Sequence, residues 1–182
     1  MKEYSTNNIR NIALVSHSSA GKTILTEAFL HFTGATTRAG KIEEGNTISD
    51  FDDEEIRHKI SLYSAVIPIE YKDTKINLLD TPGYTDFVGE VISALSVVEG
   101  AIVMVDAVSG LEVGTEIAWN YCDKFKIPRL LVINKMDREN ANFQETLASV
   151  QRFSEIRCPG HADAGMCCRE ICLGEDRKRV RR

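Results

Sequence analysis

Ile9-Arg10-Asn11-Ile12-Ala13-Leu14-Val15 runs straight into Ser16-His17-Ser18-Ser19-Ala20-Gly21-Lys22-Thr23. The first seven residues are mainly branched and aliphatic and read as a buried strand. From Lys22 to Phe32, the apolar residues Ile24, Leu25, Ala28, Phe29 and Phe32 recur at helical spacing and predict an amphipathic helix. Between strand and helix lies a loop of small polar residues. Such a loop, closed by a helix N-terminus, can aim many N–H groups at phosphate oxygens. Gly21 tolerates the positive φ this requires, Lys22 can reach the β- and γ-phosphates, and Thr23 can offer its hydroxyl oxygen to Mg²⁺. Ser16 takes the place of the first glycine of the strict pattern, and an ordinary strand–helix connection can have the same composition.

Two further strings narrow the choice. Asp80-Thr81-Pro82-Gly83-Tyr84 and Asn134-Lys135-Met136-Asp137 each follow an apolar run. In an open α/β sheet, such strand ends form the ligand crevice. Asp80 suits a metal held largely through water, and Gly83 is placed to offer an N–H to a terminal phosphate. Asp137 can accept two hydrogen bonds from the N1–H and exocyclic amine of guanine, a donor pair that adenine lacks. Lys135 would lie along the base. Each string alone also fits a turn or a polar loop; the three in order describe a guanine-nucleotide site.

The rest of the chain supports one α/β domain over 1–153. Strands are expected at Leu62–Tyr71, Lys75–Leu79, Ala101–Val105 and Arg129–Ile133, and helices at Phe87–Val98, Leu111–Phe125 and Asn142–Phe153. Lys72-Asp73-Thr74 permits only a hairpin, so the second and third strands run antiparallel. The expected fold is a mostly parallel central sheet with one antiparallel hairpin strand and helices on both faces. Thr33 to Lys59 is a long, acidic connection with little periodicity, a length usually tied to function.

Bulk properties limit the partners. The chain has 182 residues, 27% charged and 43% hydrophobic, with a net charge of −5. That fits a soluble globular domain and disfavours binding nucleic acid by electrostatics alone. No apolar run approaches the roughly 20 residues that span a bilayer. A cytoplasmic monomer with no membrane or DNA partner is expected. Residues 154–182 carry Cys158, Cys167, Cys168 and Cys172 and a nearly all-basic end, without a strand-like apolar run. Cys158, His161, Cys167, Cys168 and Cys172 have spacings compatible with zinc, but few apolar residues accompany them.

These strings resemble the phosphate loop, the metal and γ-phosphate motif and the guanine motif of translation-factor GTPases with a P-loop NTPase fold. Residues 9–150 look most like the N-terminal G domain of elongation factor G, closest to the elongation factor G-like branch. Tetracycline-type ribosomal protection proteins share this front end. The resemblance implies GTP/GDP and Mg²⁺ as ligands, GTP hydrolysis as the activity and the ribosome as partner. It makes residues 34–62 the first switch region, with Ser61 in place of the metal-coordinating threonine and Ile60 as an apolar gate. Ser19 replaces a family aspartate.

Tyr84 stands where most relatives have a histidine that positions the attacking water, which implies slow or partner-dependent hydrolysis. A non-catalytic GTP-binding switch is the alternative. The relatives continue with another strand after residue 153, and none is recognisable here. The C-terminal part of the G domain is therefore expected to be missing, with 154–182 a truncated or frame-shifted end and the chain an inactive fragment in the extreme case.

Overall fold

The computed structural model describes residues 2–157 and 170–172. Six strands form one sheet: β1 (Ile9–Val15), β2 (Ala65–Tyr71), β3 (Thr74–Asp80), β4 (Gly100–Asp106), β5 (Arg129–Asn134) and β6 (Glu170–Cys172), in the order β2-β3-β1-β4-β5-β6. Only β2 runs antiparallel, pairing with β3 from Ala65 opposite Asp80 to Tyr71 opposite Thr74. All other neighbours are parallel. The chain passes to β3 on one side of β1 and to β4 on the other, so a crevice opens at the carboxyl end of β1.

The continuous apolar runs divide between two cores because alternate side chains of a strand face opposite ways. Ala13, Val15, Leu79, Val103, Val105, Leu131 and Ile133 face one side, where Val91, Leu95, Trp119 and Val150 cover them. Leu14, Leu78, Met104 and Val132 face the other and meet Leu25 and Leu30. The covering helices are α1 (Lys22–Phe32), α3 (Val88–Leu95), α4 (Val113–Phe125) and α5 (Phe143–Arg157). Among the described residues, no helix is long and apolar enough to cross a membrane. Cys122 is a free, buried thiol, pushed up to about 11 by burial.

Several expectations change in detail. In α1, Leu25 and Leu30 are buried, but Ile24, Ala28 and Phe32 are exposed. The buried face also carries Thr23, Thr26 and Glu27, because this helix faces the crevice as well as the core. The 33–59 connection holds a short helix, α2 (Asp53–His58). Asp52 accepts from the Glu54 N–H at 2.9 Å, and Glu55 accepts back from the Asp52 N–H at 3.1 Å. This capping box holds a six-residue helix too short to show periodicity. The second strand starts at Ala65, not Leu62: the Leu62 and Tyr63 N–H groups donate to Glu55, and that of Ser64 donates to Glu90.

The sheet also extends one strand beyond the expected edge. Glu170–Cys172 pairs with Leu131–Ile133, so β5 is not bare along those residues. A three-residue strand leaves no alternation to read. Cys158, His161, Cys167 and Cys168 of the zinc reading lie outside the described residues, as does the basic terminus.

Candidate functional site

β1 ends at Val15, and the chain then turns through Ser19 (φ 61°) and Gly21 (φ 101°) before α1 begins at Lys22. A Cβ on Gly21 would run into the Asn134 side-chain amide, whose Nδ2–H donates to the Ala20 carbonyl at 2.9 Å. The third string thus braces the first. On the opposite flank, the His17 N–H donates to Thr115 Oγ1 at 3.1 Å, and the Gly114 N–H donates to His17 Nδ1 at 3.3 Å. Gly21→Ala combines a strained φ with this collision. It is expected to lower stability by about 1–3 kcal/mol, read as a fall in the thermal midpoint of nucleotide-free protein.

Lys22 is buried in this loop. Its Nζ donates to Ser16 Oγ and the His17 carbonyl, both at 3.0 Å. Burial pushes its pKa down to about 8, while the Asp80 and Asp50 carboxylates pull the other way. Gly83 lies close by: a Cβ there would come within 2.5 Å of Lys22 Nζ and 2.6 Å of the Ser18 backbone. The second string therefore approaches the phosphate loop as closely as backbone allows. Thr81 anchors it, donating to the Leu14 carbonyl at 2.6 Å.

Around Asp80 lies a buried cluster of oxygens. Thr26 donates to Asp80 Oδ2 at 3.3 Å, while Asp80 Oδ1 has no protein partner. The Ser49 hydroxyl is likewise buried without a well-formed hydrogen bond, and it and Thr23 lie close enough to Asp80 to favour its ionised form. The Thr23 and Ser61 hydroxyls stand 3.4 Å apart, and Ser61 donates to Asp50 Oδ1 at 2.7 Å. Burial pushes Asp80 up to about 6, opposed by Lys22 and reinforced by Asp50. Asp50 is also raised, chiefly by burial. Orphaned carboxylate and hydroxyl oxygens beside two further hydroxyls are oxygen donors of the kind that could hold a hard divalent cation. Thr23, Ser61 and Asp80 lie together in this cluster, and Asp50 and Ser49, which the sequence did not single out, adjoin them.

At the far end, Asn134 closes β5 opposite Asp106, and Lys135 takes a left-handed φ of 61°. Lys135 Nζ donates to Asp106 Oδ2 at 2.6 Å. Partial burial works against ionised Asp106, but bonds from Lys135 and the Val108 N–H bring its pKa below the usual value. Lys135 is thereby held by its ammonium group, while Asp137 is exposed. The signal for Asp106 was its position at the end of a buried strand.

The expected catalytic residues are less tightly assembled. Tyr84 is 42% exposed and lines a narrow pocket with Ser16, Gly83, Val88 and Gly114; Ile60 does not line it. Ile60 is half-buried and donates its N–H to the Glu55 carbonyl at 3.2 Å.

Comparison with known proteins agrees with this geometry. The elongation factor Tu GTP-binding domain family matches residues 7–170. Mitochondrial ribosome-releasing factor 2 of Meyerozyma guilliermondii is 41% identical over 150 residues, covering 82% of this chain and 18% of that protein. Elongation factor G 2 of Borreliella burgdorferi is 41% identical over 149 residues, covering 81% and 22%. A Thermus thermophilus crystal structure superposes with a TM-score of 0.78 at 40% identity, covering 80% of this chain and 22% of that one. The chain thus spans about a fifth of the length of these relatives.

Proposed function

The chain belongs to the elongation factor Tu GTP-binding domain family, and from that premise we propose that it binds GTP in the crevice at the ends of β1, β3 and β5 and hydrolyses it to GDP and phosphate. The observation that carries this reading is a buried Lys22 ammonium and a buried Asp80 carboxylate that influence each other without direct contact, with one Asp80 oxygen lacking a hydrogen-bond partner. A buried cation and carboxylate aimed into one crevice are costly unless a charged ligand completes them.

The 16–23 loop, from Ser16 and His17 through Ser18, Ser19 and Ala20 to Gly21, supplies backbone donors to the phosphates. Lys22 leaves its contacts with Ser16 and His17 to take phosphate oxygens. Thr23, Ser61 and Asp80 would hold Mg²⁺, with Asp50 and Ser49 supporting them. The cation would supply charge neutralisation on the β- and γ-phosphates. Asn134 keeps the phosphate loop in place, Lys135 lies along the base and Asp137 reads its edge.

Hydrolysis in this class depends mainly on positioning and electrostatics. Gly83 offers its N–H to the γ-phosphate, Ile60 limits access, and the Tyr84 hydroxyl orients water without carrying an imidazolium charge. Full-length relatives include factors named for elongation and ribosome release. We extend that role here, placing the domain on the ribosome in the cytoplasm as the G domain of an elongation factor G-like protein.

Titration with fluorescent GTP, GDP and ATP tests the binding reading: guanine nucleotides are expected to bind and ATP to fail, and equal binding would overturn it. A non-hydrolysing switch is the second reading, favoured by the exposed Tyr84 in place of histidine. In single-turnover assays with ribosomes, Tyr84→Phe is expected to slow phosphate release about tenfold, and Tyr84→His to speed it by a similar factor. Equal rates for Tyr84→Phe and the unmutated chain would remove Tyr84 from the reaction. No phosphate release from either would favour the switch.

A further inference from the structure

Two buried carboxylates lie outside the nucleotide contacts and end on backbone amides of the same segment. Glu27, on α1, is 2% exposed and Glu55, on α2, is 0% exposed. Glu27 Oε1 accepts from the Ile48 N–H at 2.6 Å, and its Oε2 accepts from the Gly40 N–H at 2.8 Å. Glu55 Oε1 accepts from Leu62 and Tyr63 at 2.8 and 3.1 Å, while its Oε2 accepts from Phe51 and Asp52, both at 3.1 Å. Neither carboxylate is in an ion pair among the described residues. A buried carboxylate without a cation must be satisfied by several well-placed donors, so each fixes the backbone it touches.

The two clasps divide the segment differently. Glu55 ties 51–52 to 62–63, closing the second half on itself through its own helix. Glu27 ties the first half to α1, one turn beyond Thr23. Ile48 precedes Ser49 and Asp50, which face the metal pole, and Asp50 accepts from Ser61. Gly40 is the counterpart that makes this possible: a Cβ there would lie 2.8 Å from Glu27 Oε2 and 2.6 Å from the Asn46 carbonyl.

We propose that Glu27 is a positioning residue that latches residues 40–48 to α1, and that this latch sets the metal-dependent part of GTP affinity by holding Ser49 and Asp50 beside Thr23. The proposal rests on the nucleotide and Mg²⁺ reading above. Releasing the latch would free the first half of the segment while Glu55 keeps the second half folded, so the two halves would loosen independently.

Hydrogen exchange of the nucleotide-free 182-residue chain reads the latch without any ligand. Glu27→Gln keeps one acceptor but turns an NH₂ group toward the second amide. It is expected to speed exchange at Gly40 and Ile48 roughly ten- to hundredfold, leaving Leu62 and Tyr63 unchanged. Gly40→Ala leaves Glu27 intact and is expected to loosen the same amides, so the latch stays testable if Glu27→Gln does not fold. Unchanged exchange at Ile48 in either folded variant, or equal loosening of both halves, would overturn the latch.

Fluorescent GDP in EDTA and fluorescent GTP in Mg²⁺ are then titrated. The variants are expected to keep GDP affinity in EDTA and to lose about tenfold in GTP affinity with Mg²⁺. Equal losses under both conditions would mark a merely structural role. Absence of nucleotide binding by the unmutated chain would instead overturn the parent reading and leave the exchange result standing.

Discussion

Replacing Asp137 by Asn is expected to weaken GTP and GDP binding by at least about a hundredfold and to make xanthine nucleotides the preferred ligands. The loss follows from donor counting. Guanine presents two adjacent N–H donors, and a carboxylate accepts both; an Asn amide can accept only one and opposes the other with its own donors. Xanthine carries a carbonyl in place of the exocyclic amine, which an Asn N–H can satisfy. The surroundings favour a clean exchange. Asp137 is exposed, so the substitution removes no buried pair, and Lys135 stays held by Asp106. Titrations with fluorescent GDP, xanthosine diphosphate and ADP on one preparation provide the measurement. Retention of GDP affinity within threefold would mean that Asp137 does not read the base.

Asp80→Asn is expected to act in opposite directions on stability and on binding. Burial raises this carboxyl from 3.8 to about 6, against the attraction of Lys22 and with the repulsion of Asp50. Between those values, the folded protein holds a proton that the unfolded chain releases. The contribution to stability is therefore full below about pH 4 and is lost as pH rises through 6. Above that, the ionised group costs on the order of 3 kcal/mol. A neutral Asn avoids most of that cost, so denaturation in EDTA at neutral pH is expected to shift up by about 1–3 kcal/mol. The same change removes the charge from the proposed Mg²⁺ site and is expected to lower Mg²⁺-dependent GTP affinity by a hundredfold or more. Such opposition marks a site kept strained for its ligand. A less stable Asp80→Asn protein in EDTA would show that the carboxylate serves the fold instead.

The architecture was legible wherever buried strands ended on small or polar residues. Ile9–Val15, Lys22–Phe32 and the β2–β3 hairpin appear where periodicity and the short turn put them, because strand alternation and helix spacing are local properties. The three strings meet in one crevice because parallel strands end on the same side. Glu27 was not legible: a lone acidic residue in a helix looks solvated, and its two amide partners lie 13 and 21 residues away. Glu55 could have been found from the Asp52-x-x-Glu55 capping pattern. β6 could not, because three residues carry no period and its pairing depends on β5.

The Asn134 amide on the Ala20 carbonyl also sets an order of events during synthesis. β1 leaves the ribosome before the strands that flank it, which follow some 65 to 90 residues later, and the brace on its loop comes later still. At translation rates of about 5–20 residues per second, the phosphate loop waits on the order of ten seconds for residue 134. Until β4 is complete at Asp106, Ile9–Val15 is an apolar strand without both neighbours. The earliest part of the nucleotide site to be made is thus the last to be locked, and its exposure to misassociation is set by elongation speed.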